Sequence, residues 1–451
     1  MKKYFFFISV IFTLFFCSSC APDLKIPEAS SGTANFSKTI AIGGNFMAGY
    51  QDGALFLKGQ TLSIPALLSE QFKLVGGSSF NQALMPDDNG LGLNSKLWES
   101  PFLSPFHLGY KTDCKGIASL APINTAILLS AATPYLRGVA GNSIQNLAIP
   151  FANMVDYFNP TFGNSFLVGN KNPYYNRIAS NPGFSTIYAD AKAQNATFFS
   201  AWLGMEDVYN YASSGGTSKP ISSALNFSFH LDSILSALTA NGAKGVIATI
   251  PDFRMFPYYN LVSWNSASMD QTQANTLNNL YDSTFFTQIH FHAGQNGFVI
   301  YDETLPETVR QLHQGEYITL SVPLDSMKCL KYGLVGSVID GRYILDSTEV
   351  YQIDQSINSY NAVITQKAAQ YNLALVDMHS FFCSVKSGIK WNGVDFNADF
   401  VSGGFYSLDG YHPNQKGYAL IANEFVKSIN LKYNAVIPDV NCLVCDGLLF
   451  P

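Results

Sequence analysis

Charge is scarce in this chain: only 13% of its 451 residues are Asp, Glu, Lys or Arg, against 47% hydrophobic. That balance excludes a disordered polyelectrolyte and supplies enough apolar surface for a large core. Basic runs are also missing. The net charge is −6 and no cluster of Lys or Arg is interleaved with aromatics, so nucleic acid is not expected as a partner. The fingerprints GxGxxG and GxxxxGK[ST] are absent from the α/β opening, which leaves nucleotide binding without support. The nucleophile elbow GxSxG is absent too.

Metal-ligand patterns are equally thin. His290 and His292, two apart on a segment with helical spacing, do not share a face, while His107, His230, His313 and His379 stand alone. Neither a metal nor another cofactor is expected. Beyond the first twenty residues lie Cys114, Cys329, Cys383, Cys442 and Cys445, an odd number that cannot all pair internally. Cys442-x-x-Cys445 lacks a second CxxC or a neighbouring His pair, so a local disulfide or two unpaired thiols is expected there. Aromatics reach 14%, but six of the Phe fall within residues 1–20, and the scattered remainder identifies no ligand.

The chain opens with Lys2 and Lys3 before the apolar run YFFFISVIFTLFF (4–16), the layout of a secretory signal and too short for a comfortable membrane span. The run ends in Cys17-Ser18-Ser19-Cys20, which resembles the bacterial lipobox, with Cys17 where Leu is usual, as in the looser lipoboxes of Bacteroidetes. The resemblance implies removal of residues 1–20, lipidation of Cys20, and an exported chain anchored to the cell envelope, at the outer membrane. A polar linker over 21–35 would then act as the tether. Ordinary cleavage without lipid is the alternative.

Length alone suggests two or three domains, but the pattern argues for one. Near-continuously apolar segments at 38–44, 196–202, 244–250, 298–301 and 373–378 read as buried parallel strands. Helical spacing at 62–72, 226–243, 272–294, 356–372 and 413–433, the last with Pro413 in its first turn, alternates with them. The expectation is one doubly wound α/β domain over 36–433 with a sheet of about five strands, loop-rich insertions near 75–190 and 303–345, and a tail over 434–451.

Four short blocks carry the chemistry: GGNFMAGY (43–50), NLAIP (146–150), GMED (204–207) and DGYHP (409–413). In that order and spacing they resemble the conserved blocks of the SGNH, or GDSL, hydrolase family, in particular a group of Bacteroidetes lipoproteins. AGYQDGALF (48–56), MPDDNGLG (85–92), GVIATIPDF (245–253) and HPNQKGYALIANEF (412–425) carry the same likeness across most of the chain. The resemblance implies a flavodoxin-like three-layer α/β/α fold and an activity on acyl esters of glycans or lipids.

The resemblance also exposes departures. The position implied to hold the serine nucleophile is Asn45, and the aspartate before it is Gly44; an amide has no group that a histidine can activate. Ala148 stands at the glycine whose N–H completes the oxyanion hole, and Glu206 at the asparagine that also donates to it. A carboxylate there would repel an oxyanion, and losing one donor typically costs about 10²–10³ in rate. Only the last block is intact, with Asp409 orienting His412 as general base, or both serving structure. Two expectations follow: a non-catalytic binding or accessory lipoprotein with a glycan, acyl or lipid ligand, or an esterase or deacetylase using Asp409 and His412 by a non-standard route.

Overall fold

In the computed structural model, residues 27–93, 102–139, 143–164, 172–283, 289–302, 309–335 and 337–448 are described. The apolar opening and Cys20 lie outside them. Five strands build one sheet: β1 (Thr39–Gly43), β2 (Asn146–Ala148), β3 (Phe198–Trp202), β4 (Lys244–Ala248) and β5 (Ala374–Val376). Their order is β2-β1-β3-β4-β5 and every pairing is parallel. β1 and β3 are buried along their whole length, as strands covered on both faces must be.

Six helices frame the sheet and its crevice: α1 (Asn45–Ala48), α2 (Ile64–Lys73), α3 (Met205–Ser213), α4 (Ala224–Thr239), α5 (Ser347–Gln370) and α6 (Gln415–Tyr433). α2 packs on α6 as one helical layer, and α3 and α4 pack on α5 as the other. Ser63 and Asn414 cap α2 and α6 by accepting the N–H of Ala66 and Gly417, and Asp346 with Glu349 closes a capping box on α5. Since Asn414 is the cap, Pro413 lies outside α6 rather than in its first turn.

Three sequence expectations are corrected. The run at 298–301 is not a strand of the main sheet: Val299–Tyr301 pairs antiparallel with Val309–Gln311, with Ile300 in a separate apolar cluster beside Phe298, Ile318 and Ile339 and Val299 in another with Val309. The fifth strand of the sheet is instead β2, three residues inside the segment read as a loop-rich insertion. The helix expected over 272–294 covers Gln271–Ser283, and His290 and His292 lie beyond it in irregular chain.

The insertions are tied to one another. A hairpin of His107–Thr112 with Ala118–Ile123 reaches the helix Leu324–Leu330 through the disulfide Cys114–Cys329, whose Cα atoms are 6.1 Å apart. Lys111 to Asp325 at 2.6 Å and Lys328 to Asp113 flank it. Cys442 and Cys445 are buried free thiols. The segment read as a linker is docked in its second half, where Ser30 and Val436 exchange backbone hydrogen bonds of 3.1 and 2.8 Å.

Candidate functional site

In a parallel sheet of this order the crevice opens at the carboxyl ends of β1 and β3, where the winding reverses direction. Asn45 follows β1 there, and Glu206 follows β3. The turn out of β1 is held by the Tyr157 hydroxyl, which donates to the Gly43 carbonyl at 2.8 Å. α1 stops after one turn because Gly49 takes a left-handed φ of 79°.

Asn45 is 1% exposed. Its backbone N–H donates to Glu206 Oε1 at 2.7 Å, and its side-chain Oδ1 accepts the Phe151 N–H at 2.8 Å. The amide Nδ2 has no partner among the described residues. Glu206 occupies the space a side chain at position 44 would need: a Cβ on Gly44 would lie 1.7 Å from the Glu206 carboxyl carbon. Gly44, Asn45 and Glu206 are thus one packing unit.

Glu206 sits in the first turn of α3, where a helix N-terminus favours a negative charge. Burial nevertheless dominates and pushes its carboxyl up to about 8, against the opposing Asn45 N–H. Asp207 beside it is raised to about 7 by burial, although the Met154 N–H at 2.9 Å works the other way. A largely protonated Glu206 changes the reason for its effect: the carboxyl blocks the Asn45 donor by occupying it, not by charge repulsion.

Ala148 is not a free donor. Its N–H goes to Asn146 Oδ1 at 3.1 Å, and the residue pairs with Gly43 inside the sheet. The amide that reaches position 45 is that of Phe151, three residues on, held at φ 64° in the region that favours glycine. Residue type gave no signal for this position, because a Phe there reads as an ordinary loop aromatic.

Asp409 and His412 do come together. Asp409 Oδ2 lies 2.8 Å from His412 Nδ1 and also accepts the Gly53 N–H at 2.8 Å. Its other oxygen accepts the N–H groups of Tyr411 and His412 at 2.9 and 2.8 Å. Burial opposes its ionisation, but the His412 imidazole and these donors hold the carboxyl below its usual value. The contact places a proton on Nδ1, facing the carboxylate, and Nε2 has no partner among the described residues.

The imidazole is walled in. His412 is 1% exposed, with the rings of Tyr50, Tyr411, Phe46 and Tyr209 centred 5.0, 5.1, 5.4 and 5.8 Å away. A cavity of about 310 Å³ lies nearby, but neither Asn45, Glu206 nor His412 lines it. Ser78 and Ser79 do not stand in for the missing nucleophile, because they lie far from this end: the Ser78 N–H bonds to the Phe36 carbonyl, before the start of β1. Among the described residues no group of three His, Cys, Asp or Glu could hold a metal, so Glu206, Asp207 and His412 do not form one.

A five-stranded parallel sheet with helices on both faces, and an Asp–His pair at the end of its crevice, define an α/β protein of hydrolase type. The chain matches the family model of the GDSL-like lipases and acylhydrolases over residues 135–425, more than half of its length, and it belongs to that family. The matched span holds Ala148, Glu206, Asp409 and His412, but starts well after Asn45. Comparison with curated proteins gives no match.

Proposed function

We propose that this protein is a binding or accessory lipoprotein built on a GDSL-hydrolase domain that has lost turnover. The observation that carries the reading is the Asn45 N–H donated to Glu206 Oε1 at 2.7 Å. An oxyanion hole works through donors aimed at the position where charge develops, and here that donor is engaged by the protein itself. Phe151 N–H is likewise taken by the Asn45 side chain. The side chains standing where a nucleophile and an oxyanion donor belong both act as acceptors in the ground state, and position 45 offers nothing for His412 to activate. The domain is carried on a lipid at Cys20, exported, and held at the outer membrane of a bacterial envelope in the manner of the Bacteroidetes lipoproteins its blocks resemble. Its ligand belongs to the glycan, acyl-ester or lipid class on which such a fold would act.

The test is an ester-hydrolysis assay on the purified mature chain beside Asn45→Ser, Glu206→Asn and the double variant. His412-dependent turnover in the double variant alone supports a retired hydrolase; equal turnover in the parent refutes the reading. Radiolabelled fatty acid should enter the parent in cells and not Cys20→Ala. A second reading, an esterase or deacetylase with an unorthodox mechanism, draws on the 2.8 Å Asp409–His412 contact and on a carboxyl at 206 that is protonated at neutral pH and so able to donate.

A further inference from the structure

The about 310 Å³ cavity beside the dyad is within the usual size of small-molecule sites, ~300–1,000 Å³. It lies between the ends of the first and last motif blocks. Gln51, just after α1, and Gln415, the first residue of α6, both line it. Each is only 2% exposed, and the Oε1 of each has no hydrogen-bond partner among the described residues. A buried carboxamide oxygen without a donor is costly, and such groups in native proteins ask for an explanation. Both residues stand in the wall of one cavity and give it a polar, amide-bearing lining, suited to an occupant that brings its own O–H or N–H groups.

The rest of the lining narrows the chemistry. Phe56 and Phe106 supply aromatic surface, and Asp52 contributes a carboxyl beside them. Lys58, the one Lys or Arg among the lining residues, is tied to Asp446. Asp52 and Asp88 set two carboxyls against that one engaged Lys, with His107 the remaining titratable group of the lining, so an anion is disfavoured, and a purely apolar ligand would bury these polar ends unpaired. A neutral ligand with many hydroxyls satisfies both requirements, its O–H groups bonding the amides and carboxyl and its C–H face lying on Phe106.

We infer that this cavity binds a sugar unit. The inference deepens the binding role proposed above and rests on it only in taking ligand capture as the function. The site is wired to the retained dyad: Asp52 accepts the Leu408 N–H at 2.8 Å, donates its own N–H to Ser407 Oγ at 3.0 Å, and precedes Gly53, whose N–H reaches Asp409. The Asp–His turn thus forms part of the scaffold behind the sugar cavity.

The experiment is saturation-transfer NMR on the purified mature chain with methyl glycosides of hexoses, N-acetylhexosamines and pentoses at millimolar concentration. At least one class should give transfer, weakened about tenfold both by Gln415→Leu, which removes a cavity acceptor, and by Phe106→Ala, which removes the half-buried platform. Thermal melting confirms that each variant is folded. No transfer from any class, or transfer that survives both substitutions, overturns the inference. Tighter binding of an oligosaccharide of the bound sugar supports a glycan chain as the source, and equal binding supports a free sugar. His412-dependent ester turnover would refute the non-catalytic reading and leave the cavity result standing.

Discussion

The Asn45 backbone N–H and Glu206 Oε1 meet at 2.7 Å, and the same carboxyl fills the place where a side chain at position 44 would begin. A first prediction tests that unit. Gly44→Ala should destabilise the parent by about 2 kcal/mol or more, because the added carbon would sit 1.7 Å from the Glu206 carboxyl carbon. In a Glu206→Ala background the same change should cost far less. A double-mutant cycle by urea unfolding should show coupling above about 1 kcal/mol, and additive effects would show that the two positions are independent.

A second prediction concerns pH. Glu206 has an ordinary value of 4.5 and about 8 when folded, so between these limits the native chain keeps a proton that the unfolded chain releases. Stability therefore falls as pH rises from about 4.5 to about 8 and levels off above, by at most roughly 1.4 kcal/mol per pH unit. Glu206→Gln should flatten this slope. Asp207 is raised in the same direction but is common to both proteins, so the difference between the two curves isolates Glu206. Parallel melting-temperature profiles across pH 5–8 would contradict the assignment.

Asp409 carries a third. It accepts from Gly53, Tyr411 and the His412 backbone as well as from the imidazole, so its role is architectural whether or not the protein turns over. Asp409→Ala should destabilise by about 3 kcal/mol or more, since several buried donors lose their acceptor together. Because its folded value is depressed, its stabilising contribution is present above the ordinary value of 3.8 and is lost as pH falls through the lower folded value. A loss under about 0.5 kcal/mol in denaturant titration would overturn this.

A fourth follows from the Cys114–Cys329 bridge, which spans 215 residues. Cys114→Ser with Cys329→Ser should lower stability by about 2–4 kcal/mol through the freed unfolded chain. The far-UV spectrum should stay essentially unchanged, because neither cysteine belongs to the five-stranded sheet. An unchanged melting temperature under oxidising conditions would contradict it.

The pattern of apolar runs was enough for the parallel α/β core, because strands buried on both faces write themselves as continuous hydrophobic segments. It misled at 298–301, where a run of the same type serves a small satellite cluster, and a buried strand of either kind looks alike in sequence. β2 was hidden because Gln145 and Asn146 interrupt its apolar run, whereas the equally short β5 sits inside the continuous run LALV. At the site, Asn45, Glu206, Asp409 and His412 were all legible from block order, and the structure brings them to one end of the sheet. The Phe151 donor was not legible, since it depends on a left-handed backbone that no residue type announced, and Ala148 was named in its place. The mutual engagement of Asn45 and Glu206 was equally invisible: the two residues lie 161 positions apart in the chain, and only the β1–β3 pairing makes them neighbours.

The central claim is that the donor meant for an oxyanion is engaged by Glu206 and that His412 has nothing to activate. The most direct measurement is the hydrolysis of p-nitrophenyl acetate by the purified mature parent compared with His412→Ala. Both proteins should match the uncatalysed background across pH 6–9. Saturable turnover by the parent that disappears in His412→Ala would contradict it.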